Sequence, residues 1–194
     1  KQYDTVVTAV NRVSLQIHRG ELIGVIGHTG SGKSTMMQML NGLMRPTEGQ
    51  VLLDGKDITG LNITERAKEG VSFAFQQPVR FKGITVHDLI RLAAGKEISI
   101  GDACEYLSLV GLCARDYINR EVNASLSGGE LKRIEIALII ARSTKLSVFD
   151  EPEAGIDLWS FNNLIKVFER MHEKTQGSIM IISHQERILN IADR

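Results

Sequence analysis

Two stretches of the sequence combine glycine with hydroxyl-bearing side chains at a predicted helix start, as a phosphate-binding loop requires. The first, Gly27–Thr35, reads GHTGSGKST. It follows a compact apolar run at 21–26 and precedes apolar residues at helical spacing, so the glycines connect a buried strand to a helix. Backbone N–H groups at a helix start bind anions, and glycines let the backbone wrap a polyphosphate. We predict a nucleoside triphosphate site here.

Individual residues of this loop have separate predicted roles. Lys33 would place a cation beside the β- and γ-phosphates, and Ser34 would offer a hydroxyl to Mg²⁺. The alternative, a chance glycine turn, does not explain why strand and helix patterns flank the motif. The residues predicted to bind the nucleotide here are Gly27, His28, Thr29, Gly30, Ser31, Gly32, Lys33, Ser34 and Thr35.

A pair of carboxylates, Asp150 and Glu151, follows the apolar stretch LSVF at the end of another predicted strand. An aspartate at this point of a phosphate-loop protein holds Mg²⁺, usually through water. Glu151 is then placed to take a proton from the attacking water, or to orient it. The alternative is that the two acids only cap the turn before Pro152. We expect Glu153 to be a solvated neighbour.

The second glycine stretch, SLSGGE at 125–130, opens an amphipathic helix. Free N–H groups of Gly128 and Gly129, with the hydroxyl of Ser127 beside them, form a second candidate anion site. Because the loop at Gly27–Thr35 already suits a triphosphate, the sequence raises the question of which anion this second site binds.

The apolar pattern predicts the elements that position these residues. An alternating pattern predicts a half-exposed strand over 13–17, and Asp54-Gly55 predicts a hairpin turn. A mostly helical region runs from Thr85 to Asp116, and we expect it to be interrupted by glycine. The other predicted strands are ELIGVI, Val71–Phe75, LSVFD and SIMIISH; another helix is predicted at 160–174, and the breaks are predicted at Gly95, Gly101 and Gly111. Strand, helix and strand in this order predict an α/β fold with a mainly parallel sheet.

Composition narrows the function classes. The 194 residues are 43% hydrophobic, enough for the core of one domain, and Lys+Arg equals Asp+Glu at 23 each. No global charge therefore attracts nucleic acid or anionic lipid. Apolar runs such as Ile179–Ile182 are too short to span a bilayer, and the start has no signal-peptide pattern. Cys104 and Cys113, without a His or Cys cluster, are expected to be reduced thiols in the cytoplasm.

The order of these motifs resembles that of the ATP-binding-cassette (ABC) ATPases over essentially the whole chain. The motifs that carry the resemblance are the loop Gly27–Thr35, Gln76 after a strand, LSGGE at 126–130, VFDE at 148–151, Asp157 in AGID, and His184 closing MIISH. The resemblance implies an ATPase with ATP and Mg²⁺ as cofactors. It also implies the fold of that family: a phosphate-loop core with a small antiparallel region at the N-terminus and an inserted helical lobe.

The resemblance answers the question about the second glycine stretch. In this family two cassettes meet head to tail, and the signature of one closes on the γ-phosphate held by the other. Ser127, Gly128 and Gly129 would thus serve the nucleotide of a second ABC subunit, as a homodimer or a heterodimer. The other implied roles are catalysis by Glu151, His184 and Gln76, metal binding by Ser34, Gln76 and Asp150, adenine stacking by Tyr3 (or a plain strand-end aromatic), and a place at the dimer seam for Asp157.

The same resemblance gives the expected domain organisation. We expect one nucleotide-binding domain over 1–194, with a core at 1–76 and 140–194 and a helical lobe at about 77–139 that includes the signature. We also expect the last strands of the family fold to lie beyond the end of this sequence. The region Val86–Leu112 suits both a lobe core and a partner groove, and Arg80 and Phe81 are the candidates for touching a partner.

Resemblances to two kinds of ABC ATPase leave the partner open. GHTGSGKST and LNGLMRPT resemble the ATPases of energy-coupling-factor vitamin importers, whereas the sequence from about Ile58 onward resembles SufC, the ATPase of iron–sulfur cluster assembly. We expect a SufB/SufD-type scaffold as partner, because the partner-facing lobe lies in the second part. The alternative is an integral-membrane importer subunit, which would place the chain peripherally at a membrane. A second alternative is an ATP-binding dimerisation module with little turnover.

Overall fold

The computed structural model describes residues 8–75, 79–123, 125–156, 158–174 and 176–194. In chain order its strands are β1 (Leu22–Val25), β2 (Leu52–Leu53), β3 (Lys56–Asp57), β4 (Val71–Ala74), β5 (Leu146–Asp150) and β6 (Ser178–Ile182). Its helices are α1 (Lys33–Asn41), α2 (Ile63–Glu69), α3 (Val86–Ala94), α4 (Ile100–Leu109), α5 (Ala114–Tyr117), α6 (Gly128–Arg142), α7 (Leu158–Lys174) and α8 (Glu186–Leu189).

Four parallel strands form the main sheet in the order β1-β6-β5-β4, and β2 and β3 form a separate antiparallel pair. This arrangement confirms the predicted α/β class with a mainly parallel sheet. The loops after β1, β5 and β6 leave the sheet at the same edge, because carboxyl ends of parallel strands lie together. That edge carries the loop Gly27–Thr35, Asp150 with Glu151, and His184.

Side chains of the central strands alternate between two cores, one on each face of the sheet. Phe149 and Ile181 are fully buried in the larger core, which contains residues of α3, α4, α6 and α7. Val148 and Met180 point to the other face and pack with Met37 of α1. Both faces of the sheet are therefore covered, which explains why these strands read as continuous apolar runs.

The predicted strand at 13–17 is wrong: this stretch has no strand conformation. Val13 and Leu15 are 57% and 47% exposed. Side chains bind carbonyls here: Arg194 donates to the Gln16 carbonyl, and the Ser178 hydroxyl donates to the His18 carbonyl, which also accepts from the Glu21 N–H in the turn that follows. Alternating apolar and polar residues indicate that one face of a segment can be buried. A strand also needs a neighbouring strand with which its backbone can form hydrogen bonds.

Two of the three predicted glycine breaks end helices, and the third does not. Gly95 caps the C-terminus of α3 in the left-handed conformation, and Gly111 follows α4. Gly101 instead lies in the first turn of α4, because Ser99 and Asp102 form a capping box that starts the helix just before it. None of the helices in the described ranges has the length and apolarity that crossing a bilayer demands.

Candidate nucleotide-binding site

The glycine loop turns back over the end of β1 and delivers the chain into α1. Gly32 is the N-cap of α1, with φ +91°, and no side chain caps this helix. The first N–H groups of α1 therefore have no side-chain acceptor and are oriented for an anionic ligand. A Cβ at Gly32 would lie 2.3 Å from the Ala9 carbonyl oxygen, so only glycine fits here.

Lys33 folds back over the loop that precedes it. Its ammonium donates to the carbonyl oxygens of Gly27 and His28, the latter at 3.0 Å. A Cβ at Gly27 would lie 2.7 Å from the Ser31 hydroxyl, which would have to turn away. The loop thus places a cation and a free helix start together, as predicted. The exposed predicted residues of this loop are His28, Thr29, Gly30, Ser31 and Ser34.

Asp150 is the last residue of β5, and Glu151 follows it in a left-handed conformation with φ +46°. The Glu151 N–H donates to the Ile182 carbonyl at 3.0 Å, so this conformation is fixed to β6. Burial raises the pKa of Asp150, and the neighbouring Glu151 raises it further, while Lys132 and Lys33 oppose this change. Asp150 is therefore within electrostatic range of the phosphate-loop lysine.

His184, just after β6, lies beside Glu151: its Nε2 is 3.5 Å from Glu151 Oε1. Both side chains are partly exposed, at 47% and 30%. Because β6 lies between β1 and β5, the edge brings together the phosphate loop, Asp150, Glu151 and His184.

Glu153 is not the solvated neighbour that the sequence suggested. Its Oε1 accepts a hydrogen bond of 2.6 Å from the hydroxyl of Ser183, which is fully buried. Its Oε2 is buried and has no hydrogen-bond partner. The same Ser183 hydroxyl accepts from the Gln185 N–H at 2.9 Å. Glu153 thus anchors the loop that carries His184.

Ser127, the predicted signature serine, is the N-cap of α6 and forms a capping box with Glu130. Glu130 N–H donates to the Ser127 hydroxyl at 3.2 Å, and Glu130 Oε2 accepts from the Ser127 N–H at 2.6 Å. Ser127 and Gly128 are exposed, and Gly129 is partly buried. The structure thus presents these three residues at a helix start on the surface of one protomer.

A buried ion pair on α6 is a feature that the sequence did not predict. Lys132 is 1% exposed; it donates to the Phe75 carbonyl and lies 3.2 Å from Glu135 Oε2. The other oxygen of Glu135 accepts from the Phe75 N–H at 3.2 Å. Both backbone groups of Phe75, next to Gln76, are therefore held from α6. The only sequence signal was a Lys and a Glu three residues apart.

Three predicted site residues, Tyr3, Gln76 and Asp157, lie outside the described residues. Their roles in adenine stacking, catalysis or metal binding, and the dimer seam stay predictions.

The donors at the sheet edge suit Mg²⁺ rather than a metal held by protein alone. Asp150 and Ser34 offer oxygen, which Mg²⁺ prefers, and Mg²⁺ keeps waters and phosphate oxygens in its shell. Within the described ranges, no group of three His, Cys, Asp or Glu side chains is arranged to hold a metal. This small donor set fits a metal that arrives with the nucleotide.

The sequence profile of the ABC transporter family matches residues 10–154. An uncharacterized ABC transporter ATP-binding protein of Methanocaldococcus jannaschii is 40% identical over 190 residues, which are 94% of this chain and 76% of that protein. The energy-coupling factor transporter ATP-binding protein EcfA2 of Acetivibrio thermocellus is 32% identical, over 91% of this chain and 64% of that protein.

The fold and the site thus define a phosphate-loop nucleotide-binding domain. A solved dimer described as a bacterial ABC transporter cassette has the same fold, with a TM-score of 0.83 and 25% identity over 95% of this chain and 84% of that one. The chain belongs to the ABC transporter family and is an ATP-hydrolysing cassette.

Proposed function

We propose that the chain is the ATPase subunit of a membrane transporter, in which two copies or two related subunits close on ATP. The observation that carries the ATPase part of this proposal is the convergence at one sheet edge of the Lys33 loop, Asp150 and the Glu151–His184 contact. The similarity to an energy-coupling factor transporter protein supports the importer reading over iron–sulfur cluster assembly. A SufB/SufD-type scaffold has only the resemblance of the sequence from Ile58 onward in its favour.

Hydrolysis would proceed by in-line attack of water on the γ-phosphate. Such a reaction asks the protein mainly for positioning and charge neutralisation. The loop glycines, the start of α1 and Lys33 would hold the phosphates, and Glu151 would accept or orient the proton of the attacking water. His184, in reach of Glu151, would contact the γ-phosphate. Ser34 and Asp150 would hold Mg²⁺, which when bound offsets phosphate charge.

Ser127, Gly128 and Gly129 would complete the site of the second subunit. The Ser127 hydroxyl oxygen accepts from Glu130 N–H, and the hydroxyl proton would rotate to donate to a phosphate oxygen when the nucleotide is bound. An isolated protomer would then be a poor ATPase, because each site lacks half of its phosphate contacts.

A groove of about 440 Å³ supports a docked partner. It lies between β4, α2, α3 and α6, and its apolar lining includes Phe75, Val79, Phe81 and Leu92. Val79 and Leu92 are 53% and 66% exposed, and with the other lining residues they form one apolar patch, as interaction sites do. We propose that an apolar segment of an integral-membrane subunit occupies this groove, at the cytoplasmic face of the membrane. Phe81, a predicted partner contact, lines the groove, whereas Arg80 does not.

The hydrolytic part is tested with Glu151→Gln and a matched control, Glu169→Gln, which removes an exposed carboxylate from α7. We expect Glu151→Gln to lose at least about 100-fold in turnover, as the loss of a general base does, and to accumulate as an ATP-bound dimer. Glu169→Gln should turn over like the parent. Nucleotide binding without any Glu151-dependent turnover would instead favour the dimerisation module.

The partner is tested by co-purification from membranes solubilised in detergent. We expect recovery of an integral-membrane subunit, lost in Leu92→Glu and retained in Ile100→Glu. Ile100 is 65% exposed, like Leu92, but does not line the groove. Recovery of a soluble scaffold with no membrane subunit would reverse the choice in favour of the assembly role.

A further inference from the structure

Three side chains form a cluster directly behind the signature serine. Tyr117, at the end of α5, donates its hydroxyl proton to Glu130 Oε1. Arg120 Nη1 lies 3.8 Å from the same oxygen, and the Arg120 guanidinium lies 5.1 Å from the centre of the Tyr117 ring. The remaining oxygen of Glu130 accepts from the Ser127 N–H. One carboxylate thus joins the signature to α5 and the turn that follows it.

Glu130 is charged at neutral pH in this setting. The hydrogen bond from Tyr117 holds the pKa of its carboxyl below the usual range, and hydrogen bonds from Ser127 and the charge of Arg120 act in the same direction. A negative charge beside the signature repels an approaching phosphate. The cation of Arg120, in contact with both Tyr117 and Glu130, offsets that repulsion.

The carboxylate also determines the orientation of Ser127. It occupies the Ser127 N–H at 2.6 Å, while the Glu130 N–H binds the Ser127 hydroxyl oxygen. The Ser127 hydroxyl is thereby held at the exposed start of α6, beside Gly128 and Gly129. If Glu130 turned away, Ser127 would lose the contact that fixes its backbone, and the signature would lose a defined geometry.

We propose that Tyr117 and Arg120 are positioning residues for the partner's nucleotide: Tyr117 fixes Glu130, Glu130 fixes Ser127, and Arg120 neutralises the charge that Glu130 brings to the interface. The inference rests on the proposed function, in which the signature closes on ATP held by the second subunit. It extends that site to two residues that do not touch the nucleotide.

The test compares Arg120→Leu and Tyr117→Phe in a Glu151→Gln parent, which allows dimers to form without turnover. The readout is the ATP concentration for half-maximal dimerisation in sedimentation velocity. We expect Arg120→Leu to raise it about two- to fivefold, as for a partly exposed ion pair. Tyr117→Phe should raise it about tenfold or more, as for one lost hydrogen bond to a charged group. Arg115→Leu, which removes an exposed cation from α5, is the matched control.

The decisive comparison adds Glu130→Gln to each variant. Glutamine can accept from the Ser127 N–H and bind the Tyr117 hydroxyl, but it has no charge to neutralise. With glutamine at 130, Arg120→Leu should have no effect on dimerisation. In every variant, binding of a fluorescent ATP analogue to the dilute protomer should match the parent, because the signature acts on the other subunit's nucleotide.

Two results would overturn the inference in different ways. An equal effect of Arg120→Leu with glutamate and with glutamine at 130 would mean that Arg120 acts through general stability and not through the charge of Glu130. An ATP-dependent dimer that is indifferent to both Arg120 and Tyr117 would refute the inference and leave the proposed function intact. If the Glu151→Gln parent forms no ATP-dependent dimer at all, both fail.

Discussion

Replacement of Lys132 by methionine tests the buried ion pair on α6. The side chain is 1% exposed, and its ammonium binds the Phe75 carbonyl and pairs with Glu135 at 3.2 Å. Methionine fills a similar volume but leaves the Glu135 carboxylate, whose side chain is 16% exposed, without its cation. The Phe75 carbonyl loses its donor as well. We therefore expect the loss of stability to come from the unpaired charge and the lost hydrogen bond, with little change in packing.

Removal of one member of a buried ion pair costs about 3–5 kcal/mol of unfolding free energy, because a charge remains buried without compensation. We expect the lower end, about 3 kcal/mol, since Glu135 can take up a proton: burial raises the pKa of its carboxyl, and Lys132 is the main influence that lowers it. At roughly 2–4 °C per kcal/mol for a chain of this size, Tm should fall by about 6–12 °C.

The pH dependence separates this explanation from a simple packing defect. In Lys132→Met the folded pKa of Glu135 rises further above its unfolded value, so the folded state binds more protons than the unfolded state over that range. The loss of unfolding free energy relative to the parent is therefore largest above the folded pKa of Glu135, and it becomes smaller as the pH falls through that pKa. Urea denaturation at about pH 8 and pH 5.5 measures both.

The double variant Lys132→Met, Glu135→Gln provides the control. The amide oxygen can still accept from the Phe75 N–H, which Glu135 binds at 3.2 Å, and no charge is left buried. We expect it to recover about half of the lost stability, since the Phe75 carbonyl stays unpaired. Two results would refute the reasoning: a loss of unfolding free energy below about 1 kcal/mol, or a loss that changes neither with pH nor with the second substitution.

Three further predictions concern other parts of the fold. Gly32→Ala should weaken nucleotide binding at least tenfold in titrations, because Gly32 has φ +91° and an added Cβ would lie 2.3 Å from the Ala9 carbonyl oxygen. Gly30→Ala has open space around its Cβ, so its binding should be weakened only by the left-handed backbone strain of about 1–2 kcal/mol. Arg66→Met should lower urea stability by about 3 kcal/mol or more, because Arg66, 1% exposed, donates to four carbonyls. The folded state holds the pKa of Glu130 below its usual value of 4.5. The stability that Glu130 adds relative to Glu130→Gln, measured by thermal unfolding, should therefore be fully present above pH 4.5 and be lost as the pH falls through the lower folded pKa.

Local patterns were enough to predict the strands and turns that carry the site. β5 and β6 read as apolar runs because both of their faces are covered, and the phosphate loop follows directly from glycines between a strand and a helix. The hairpin at Asp54-Gly55 is also local: both residues have positive φ, at 50° and 78°, as a tight two-residue turn requires. In each case, the information lies within about ten residues of sequence.

The features that sequence reasoning missed depend on partners far along the chain. Arg66 binds carbonyls of Met39 and Leu40, and Lys132 binds Phe75, 57 residues away. A lysine or arginine on a helix is normally exposed, so nothing in the local pattern indicates burial. Glu153 was misjudged for the same reason, because its partner Ser183 is 30 residues away.

Helix α6 connects the signature serine to the apolar groove. Ser127 begins it, and Lys132 follows about 7.5 Å along the axis at the rise of an α-helix. Because Lys132 and Glu135 hold both polar backbone groups of Phe75, α6 cannot shift relative to the end of β4 without breaking these two hydrogen bonds. Phe75 also lines the apolar groove. Under the proposed function, we expect α6 to carry a displacement of the signature to Phe75, and through Phe75 to a partner seated in the groove.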